Sequence, residues 1–466
     1  MFLDEEFLLT TPTARTLFHD YAEHQPVIDY HCHLNPSEIA EDKNFSGIVE
    51  AWLGGDDYGD HYKWRLMRAN GVSEELVTGK GDDWEKFQAF AGAMEKAIGN
   101  PVYLWTHLEL RRIFGIEKDL NRSTAREIFD RTNELLASPE FSRRGLIRNF
   151  NVEAVCTTDD PADDLGFHQQ LAGEKDFKVL PAMRPDKALN IDRPGFGEWV
   201  TRLEGAVGHP VSGFDGLTAA IDERVGFFHE MGGRLSDHAL DVVEYAEATP
   251  AELDVIVDRA RSGAGLSTLE VVQYRTALIK ALMRIYQAHN WTMQLHIHAA
   301  RDLNSAMYAA HGADTGYDAM WDHSLVAPLA KLLDSAEADG VVPRTIIYSL
   351  NPNDWLPIAS LFGRFQGGGT VQKFALGNAW WFNDTRSGIR RQLEVQAEQS
   401  LLGNFVGMTT DSRSFLSYPR HEFFRRILCE LVGEWVERGE ITNDIEALGT
   451  LVSDVSYGNA KKFFAF

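Results

Sequence analysis

The stretch PVIDYHCH (26–33) runs from a β-rich apolar start into a His-x-His triplet, and its reading decides the fold. Read as a strand, its alternating side chains turn His31 and His33 to one side and Cys32 to the other. Seven further runs share the pattern of an apolar strand ending in polar residues: VEAVCTT (152–158), FKVLPAMR (177–184), GGRLSDHA (232–239), TMQLHIHA (292–299), TIIYSLN (345–351), VQKFALGN (371–378) and FVGMTTD (405–411). Amphipathic helix-like segments separate most of them, such as LEVVQYRTALIKALMRIYQAHN (269–290) after GLST and GIRRQLEVQAEQSLL (388–402) before the last run. Eight strands joined by helices predict an α/β fold of the (β/α)₈ TIM-barrel type. Residues 34–151 are too long for one crossover and carry several helical patterns, which predicts a mainly helical insertion after strand 1. The expected organisation is therefore 1–33 as N-terminal segment and first strand, 34–151 as insertion, and 152–466 as the rest of the barrel.

In such barrels the active site forms at the C-terminal ends of the strands. Here those ends carry His31 and His33, Asp159 and Asp160, Arg184, Asp237 and His238, His296 and His298, Asn351, Asn378, and Asp411. Strand 8 lies beside strand 1 in a closed barrel, so Asp411 can meet His31 and His33 at one divalent ion, with a coordination position left open. Two imidazoles and one carboxylate suit zinc best, although manganese, cobalt or iron also fit. His296 is a candidate fourth ligand or acid-base group, whereas His298 reads more simply as a buried, satisfied histidine. No lysine ends strands 3 or 4 to bridge two ions, which favours one metal per subunit. TTDSRS also resembles a helix N-cap at Asp411.

Composition narrows the partners. The chain has 466 residues, 44% hydrophobic and 24% charged, with a net charge of -24, and this acidity disfavours nucleic acid and anionic membranes. An anionic substrate must then be held by arginines inside the site. Cys32, Cys156 and Cys429 are too scattered for a disulfide framework. The acidic MFLDEEFLLTTPT start lacks the features of a secretory signal, and no run approaches the length of a membrane span. The expected location is the cytoplasm.

Several segments resemble uronate isomerase, of the amidohydrolase superfamily: DYHCHL, GDHYKWRLMR, PVYLWTHLELRRIFGI, TTDDP, VLPAMRPD, MQLHIHAARDLN, AWWFND and GMTTDSRSFLSYPRHEFFRRILC, which together span nearly the whole chain. The resemblance implies conversion of D-glucuronate to D-fructuronate and of D-galacturonate to D-tagaturonate, in hexuronate catabolism. It implies zinc or a related ion at His31, His33 and Asp411, brings Tyr62 to the site with His61 beside it, and assigns Arg184 and Arg413 to the substrate. Trp380 and Trp381 are expected to cover a sugar face. Asp411 and then Tyr62 are the candidate bases for C2-to-C1 proton transfer, with hydride transfer from C2 to C1 as the rival mechanism. Two departures are visible: His298 stands where the strand 5 motif more often has glycine, and GGDDYGDHYKWR is lengthened ahead of Tyr62. A mononuclear metal-dependent hydrolase is the alternative, since the same ligands can activate water. A non-catalytic sugar-binding protein is the other, and homo-oligomerisation stays open.

Overall fold

The computed structural model describes residues 2–54 and 59–466, so part of the lengthened loop, residues 55–58, lies outside the described residues. Among the described residues nine strands form: β1 (Val27–Asp29), β2 (Val152–Asp159), β3 (Lys178–Met183), β4 (Leu235–Leu240), β5 (Thr292–Ile297), β6 (Ala299–Ala300), β7 (Ala319–Met320), β8 (Arg344–Ser349) and β9 (Phe374–Leu376). Seven pair in the order β1-β2-β3-β4-β5-β8-β9, and every pairing is parallel. The sheet curls into a TIM-type barrel, with helices such as Gly213–Glu230, Thr268–Ala288 and Arg386–Gln399 as crossovers. The Thr268–Ala288 helix begins where its sequence says it should: Ser267 and Glu270 form a reciprocal capping box.

Period-two alternation sorts the strand side chains into two clusters. Ile28, Tyr30, Ala154, Cys156, Ala182, Leu235, Ile346, Tyr348 and Ala375 belong to one, which also takes in Phe463 and Phe464 near the C-terminus. Val27, Val155, Val179, Met293, Leu295 and Ile347 belong to the other, together with the helices. Gly377 is required where it stands, because a Cβ there would fall 2.1 Å from the Tyr348 ring.

Three sequence expectations need correction. The run 405–411 is not a regular strand: Gly407 and Asp411 have φ of 80° and 50°, which breaks the extended conformation. It still occupies the eighth position beside β1, where the Asp411 N–H donates to the His31 carbonyl at 3.2 Å and the His33 N–H to that of Ser412 at 2.9 Å. β1 itself ends at Asp29, so His31 and His33 lie just past the strand rather than on it. Asp411 caps no helix, since the next one begins at Pro419.

Between β1 and β2 the chain forms the helices Pro36–Glu41, Ile48–Leu53, His61–Ala69, Glu74–Val77, Asp83–Met94, Pro101–Phe114, Ala125–Leu136 and Arg143–Asn149. Their buried faces, including Trp52, Phe90 and Leu108, share the cluster that holds Val27 and Leu431, so they pack on the barrel rather than apart from it. A second excursion, unseen in the sequence, leaves β5 as the antiparallel β6–β7 ribbon. It docks on the His61–Ala69 helix, where Arg65 donates to the Asp318 carbonyl at 2.7 Å. No helix among the described residues is long and apolar enough to cross a membrane.

Candidate active site

At the C-terminal ends of the strands a cavity of about 960 Å³, its open mouth included, is lined by His31, His33, His61, Tyr62, Arg184, His296, Trp380, Trp381, Asp411 and Arg413. Every residue given a ligand, acid-base or substrate-binding role from the sequence therefore borders one space, whereas the other strand-end residues Asp159, Asp160, Asp237, His238, His298, Asn351 and Asn378 are not in its lining. The short His-Cys-His segment brings two imidazoles to it while the Cys32 thiol donates to the Cys156 carbonyl on β2.

His31 Nε2 and His33 Nε2 both donate to the same oxygen, Oδ1 of Asp411, each at 3.0 Å. Burial alone would raise the Asp411 carboxyl, but these two hydrogen bonds reverse it and hold the group well below the usual carboxylate range. Its other oxygen accepts the Trp380 indole N–H at 2.6 Å, so Trp380 grips a carboxylate as well as bordering the cavity. Burial takes the His33 imidazole down to about 4, so at neutral pH it is an uncharged ring, the form that ligates metal. With its proton on Nε2, Nδ1 accepts from the Thr158 hydroxyl at 3.0 Å.

Beside this group stands a second one, of His31, Asp237 and His296. His296 Nδ1 donates to Asp237 Oδ1 at 2.6 Å, which in a neutral ring leaves Nε2 unprotonated, and that buried nitrogen has no hydrogen-bond partner among the described residues. The ring is stacked between Tyr348 and His31, at centroid distances of 4.3 and 4.5 Å. His296 thus groups with His31 and Asp237, not with His33 and Asp411. Burial would lower the His31 imidazole, but Asp237 and Asp411 outweigh it and raise its pKa. The donor set suits a divalent ion: two imidazole nitrogens converge on one carboxylate oxygen, where an ion could replace the hydrogens they share.

Cationic groups ring the cluster, each already tied to carboxylates. Arg184 meets Asp186 at 2.7 Å and Asp237 at 3.3 Å. Arg413 donates to His61 Nε2 and lies 3.5 Å from Asp314. Because arginine only donates, His61 accepts on Nε2 and carries its proton on Nδ1, 3.7 Å from Asp318. Tyr62 presents a buried hydroxyl with no hydrogen-bond partner among the described residues, and burial pushes it well above its ordinary value. Trp381 takes a left-handed backbone, φ 49°, with the Arg301 guanidinium 5.1 Å from its ring centroid. His298 does not line the cavity. It too is left-handed, φ 64°, a conformation that glycine adopts most easily, and its Nδ1 donates to Asp354 at 2.7 Å.

Sequence reading gave no role to Asp237, Arg301 or Arg420. Asp237 was visible as a strand end, and Arg301 and Arg420 sit inside the motifs MQLHIHAARDLN and GMTTDSRSFLSYPRHEFFRRILC. Arg301 and Arg420 line the cavity, the latter 4.4 Å from the Trp105 ring centroid and paired with Asp384.

A parallel barrel with a buried histidine and carboxylate cluster at its strand ends, ringed by arginines, defines a barrel enzyme equipped to hold a divalent cation and an anionic substrate. Comparison with known proteins sharpens this class. The glucuronate isomerase family model matches residues 1–464, and the chain belongs to that family. The uronate isomerase of Latilactobacillus sakei is 52% identical, over 100% of this chain and 99% of the relative. Among solved structures, the uronate isomerase of Thermotoga maritima superposes with a TM-score of 0.92 at 36% identity, covering 100% of both chains. The glucuronate isomerase of Caulobacter crescentus shares the fold, with a TM-score of 0.90 at 24% identity over 99% of this chain and 96% of that one. The protein is an enzyme, and the hydrolase alternative is not favoured.

Proposed function

We propose that the enzyme interconverts D-glucuronate with D-fructuronate and D-galacturonate with D-tagaturonate by moving a proton from C2 to C1. The observation that carries this reading is one cavity that joins the Asp411 cluster to Arg184 and Arg413 in a chain of the glucuronate isomerase family.

The reaction needs an open-chain aldehyde, removal of the C2 proton, stabilisation of an enediolate, and delivery of a proton to C1. Zinc, best suited to two imidazoles and one carboxylate, would be held by His31, His33 and Asp411 and would stabilise negative charge on the sugar oxygens as a Lewis acid. Asp411 is the base: its carboxylate, held well below the usual carboxylate range, is ionised through the neutral range and borders the cavity, where it takes the C2 proton and returns it to the adjacent carbon. Tyr62 is the acid, since its buried phenol stays protonated and its hydroxyl has no competing partner among the described residues. His61 accepts from Arg413 on Nε2 and so braces it. Arg413 and Arg184 hold the substrate carboxylate and hydroxyls, for which the planar guanidinium fork is matched. His296, fixed by Asp237, offers Nε2 as an acceptor for a sugar hydroxyl or a proton in transit. Trp380 and Trp381 wall the sugar while Trp380 also orients Asp411.

The test is ketose formation from each uronate by the parent enzyme and by Asp411→Asn. The expected outcome is turnover by the parent and at least a 100-fold loss in the variant, the scale of an acid-base group. Near-parental turnover by Asp411→Asn would remove both roles given to Asp411.

A further inference from the structure

Where 405–411 meets β1, a side chain stands in for part of the missing backbone ladder. Oδ1 of Asp29 accepts the Thr410 N–H at 2.8 Å, and Oδ2 of the same carboxylate accepts the Thr410 hydroxyl. Asp29 is 1% exposed, so this two-point clamp is sheltered from competing water. Its position in the chain matters: Asp29 lies two residues before His31, and Thr410 immediately before Asp411. One carboxylate therefore ties the segment carrying two of the cluster's residues to the segment carrying the third. Asp411 has left-handed backbone, φ 50°, a conformation that persists in a non-glycine residue when its surroundings impose it. The clamp on Thr410 is one such constraint, and the Asp411 N–H to the His31 carbonyl is another.

We infer that Asp29 is a positioning residue for the cation site: by fixing Thr410 it sets the direction in which Asp411 presents Oδ1 to His31 and His33. The inference rests on the reading of His31, His33 and Asp411 as that site. A buried carboxylate that merely stabilised the fold would also bond Thr410, but its loss would lower the melting temperature without changing how well the folded protein binds an ion.

The two possibilities separate in the dissociation constant for Zn²⁺. It is measured by chelator competition on metal-stripped protein, well below the melting temperature of each variant. Asp29→Ala, which removes both acceptors, should weaken Zn²⁺ binding about 10- to 100-fold, the usual effect of losing a partner that orients a ligand. Asp29→Asn keeps an acceptor for the Thr410 N–H and can donate to its hydroxyl oxygen, so it should recover most of the affinity. Thr410→Val should fall between, and adding it to Asp29→Ala should cost little more, because both remove one clamp. If Asp29→Ala does not fold, Thr410→Val against the parent carries the test. Zn²⁺ affinity within twofold of the parent in Asp29→Ala, or in Thr410→Val when that variant stands in, would overturn the inference and leave Asp29 a stability residue. Equal Zn²⁺ affinity in the parent and in Asp411→Asn would overturn the cation site itself, and the inference with it.

Discussion

Replacing Trp380 with phenylalanine removes one N–H donor and part of one ring from the wall of the cavity. The lost bond is a short one, 2.6 Å to Oδ2 of Asp411, and its acceptor is an ionised carboxylate. Hydrogen bonds to charged groups contribute about 1.5–3 kcal/mol. If the bond serves the reactive geometry of Asp411, the loss appears in kcat/KM as a decrease of about 10- to 150-fold. A packing effect needs a matched control, and Trp355 supplies one: it is buried and donates Nε1–H to the Ser349 carbonyl at 3.1 Å, but does not line the cavity. Steady-state kinetics with D-glucuronate on Trp380→Phe and Trp355→Phe, with melting temperatures measured alongside, should show both variants losing stability and Trp380→Phe alone losing catalysis. Trp380→Phe with kcat/KM within twofold of Trp355→Phe would refute the claim that this indole orients the base.

Tyr62→Phe removes a hydroxyl that has no hydrogen-bond partner among the described residues, so its melting temperature should stay near parental while kcat falls about 10²- to 10⁴-fold; parental kcat would remove Tyr62 from the chemistry. Arg413→Lys loses the fork that spans His61 and Asp314 and should raise KM for uronates at least about tenfold with a smaller change in kcat, and an unchanged KM would place the substrate carboxylate elsewhere. Glu109 is pushed by burial from its ordinary value of 4.5 to about 7, against the opposing pull of Lys63. Below pH 4.5 both folded and unfolded chains hold that proton; between 4.5 and 7 the folded chain keeps a proton that the unfolded chain releases, and stability falls as pH rises. Glu109→Gln should therefore gain melting temperature relative to the parent progressively across that window and level off above it, whereas a difference independent of pH would show that Glu109 is not held protonated.

The barrel was legible because strand composition and alternation are local. VEAVCTT, FKVLPAMR and TMQLHIHA each became strands within a few residues of their expected bounds, and the ends of the latter two bring Arg184 and His296 to one cavity. The run FVGMTTD looks equally strand-like in composition, but its conformation is set by Gly407, by the Tyr30 hydroxyl donating to the Gly407 carbonyl, and by Asp29 reaching Thr410, all outside a period-two pattern. The β6–β7 ribbon has two residues per strand, too short to leave any periodic signal. At the site, histidines and carboxylates at strand ends announced themselves by type and position. Arg301 did not, because its relevance comes from Trp381, which follows β9, and from Asp314 within the excursion, neighbours it meets only in the folded chain. Asp237 was visible, yet its bond to His296 and its ion pair with Arg184 join three different strand ends, a relation that spacing along one strand cannot express.

Incubation of the enzyme with D-glucuronate in D₂O, followed by NMR, reads both the reaction and the route of the proton. Transfer by a carboxylate base open to the cavity predicts D-fructuronate carrying deuterium at C1, because the abstracted proton can exchange with solvent before it is returned. Ketose free of deuterium would contradict an exchanging base and favour a direct hydride shift, and the absence of ketose here and in a parallel incubation with D-galacturonate would contradict the isomerase itself.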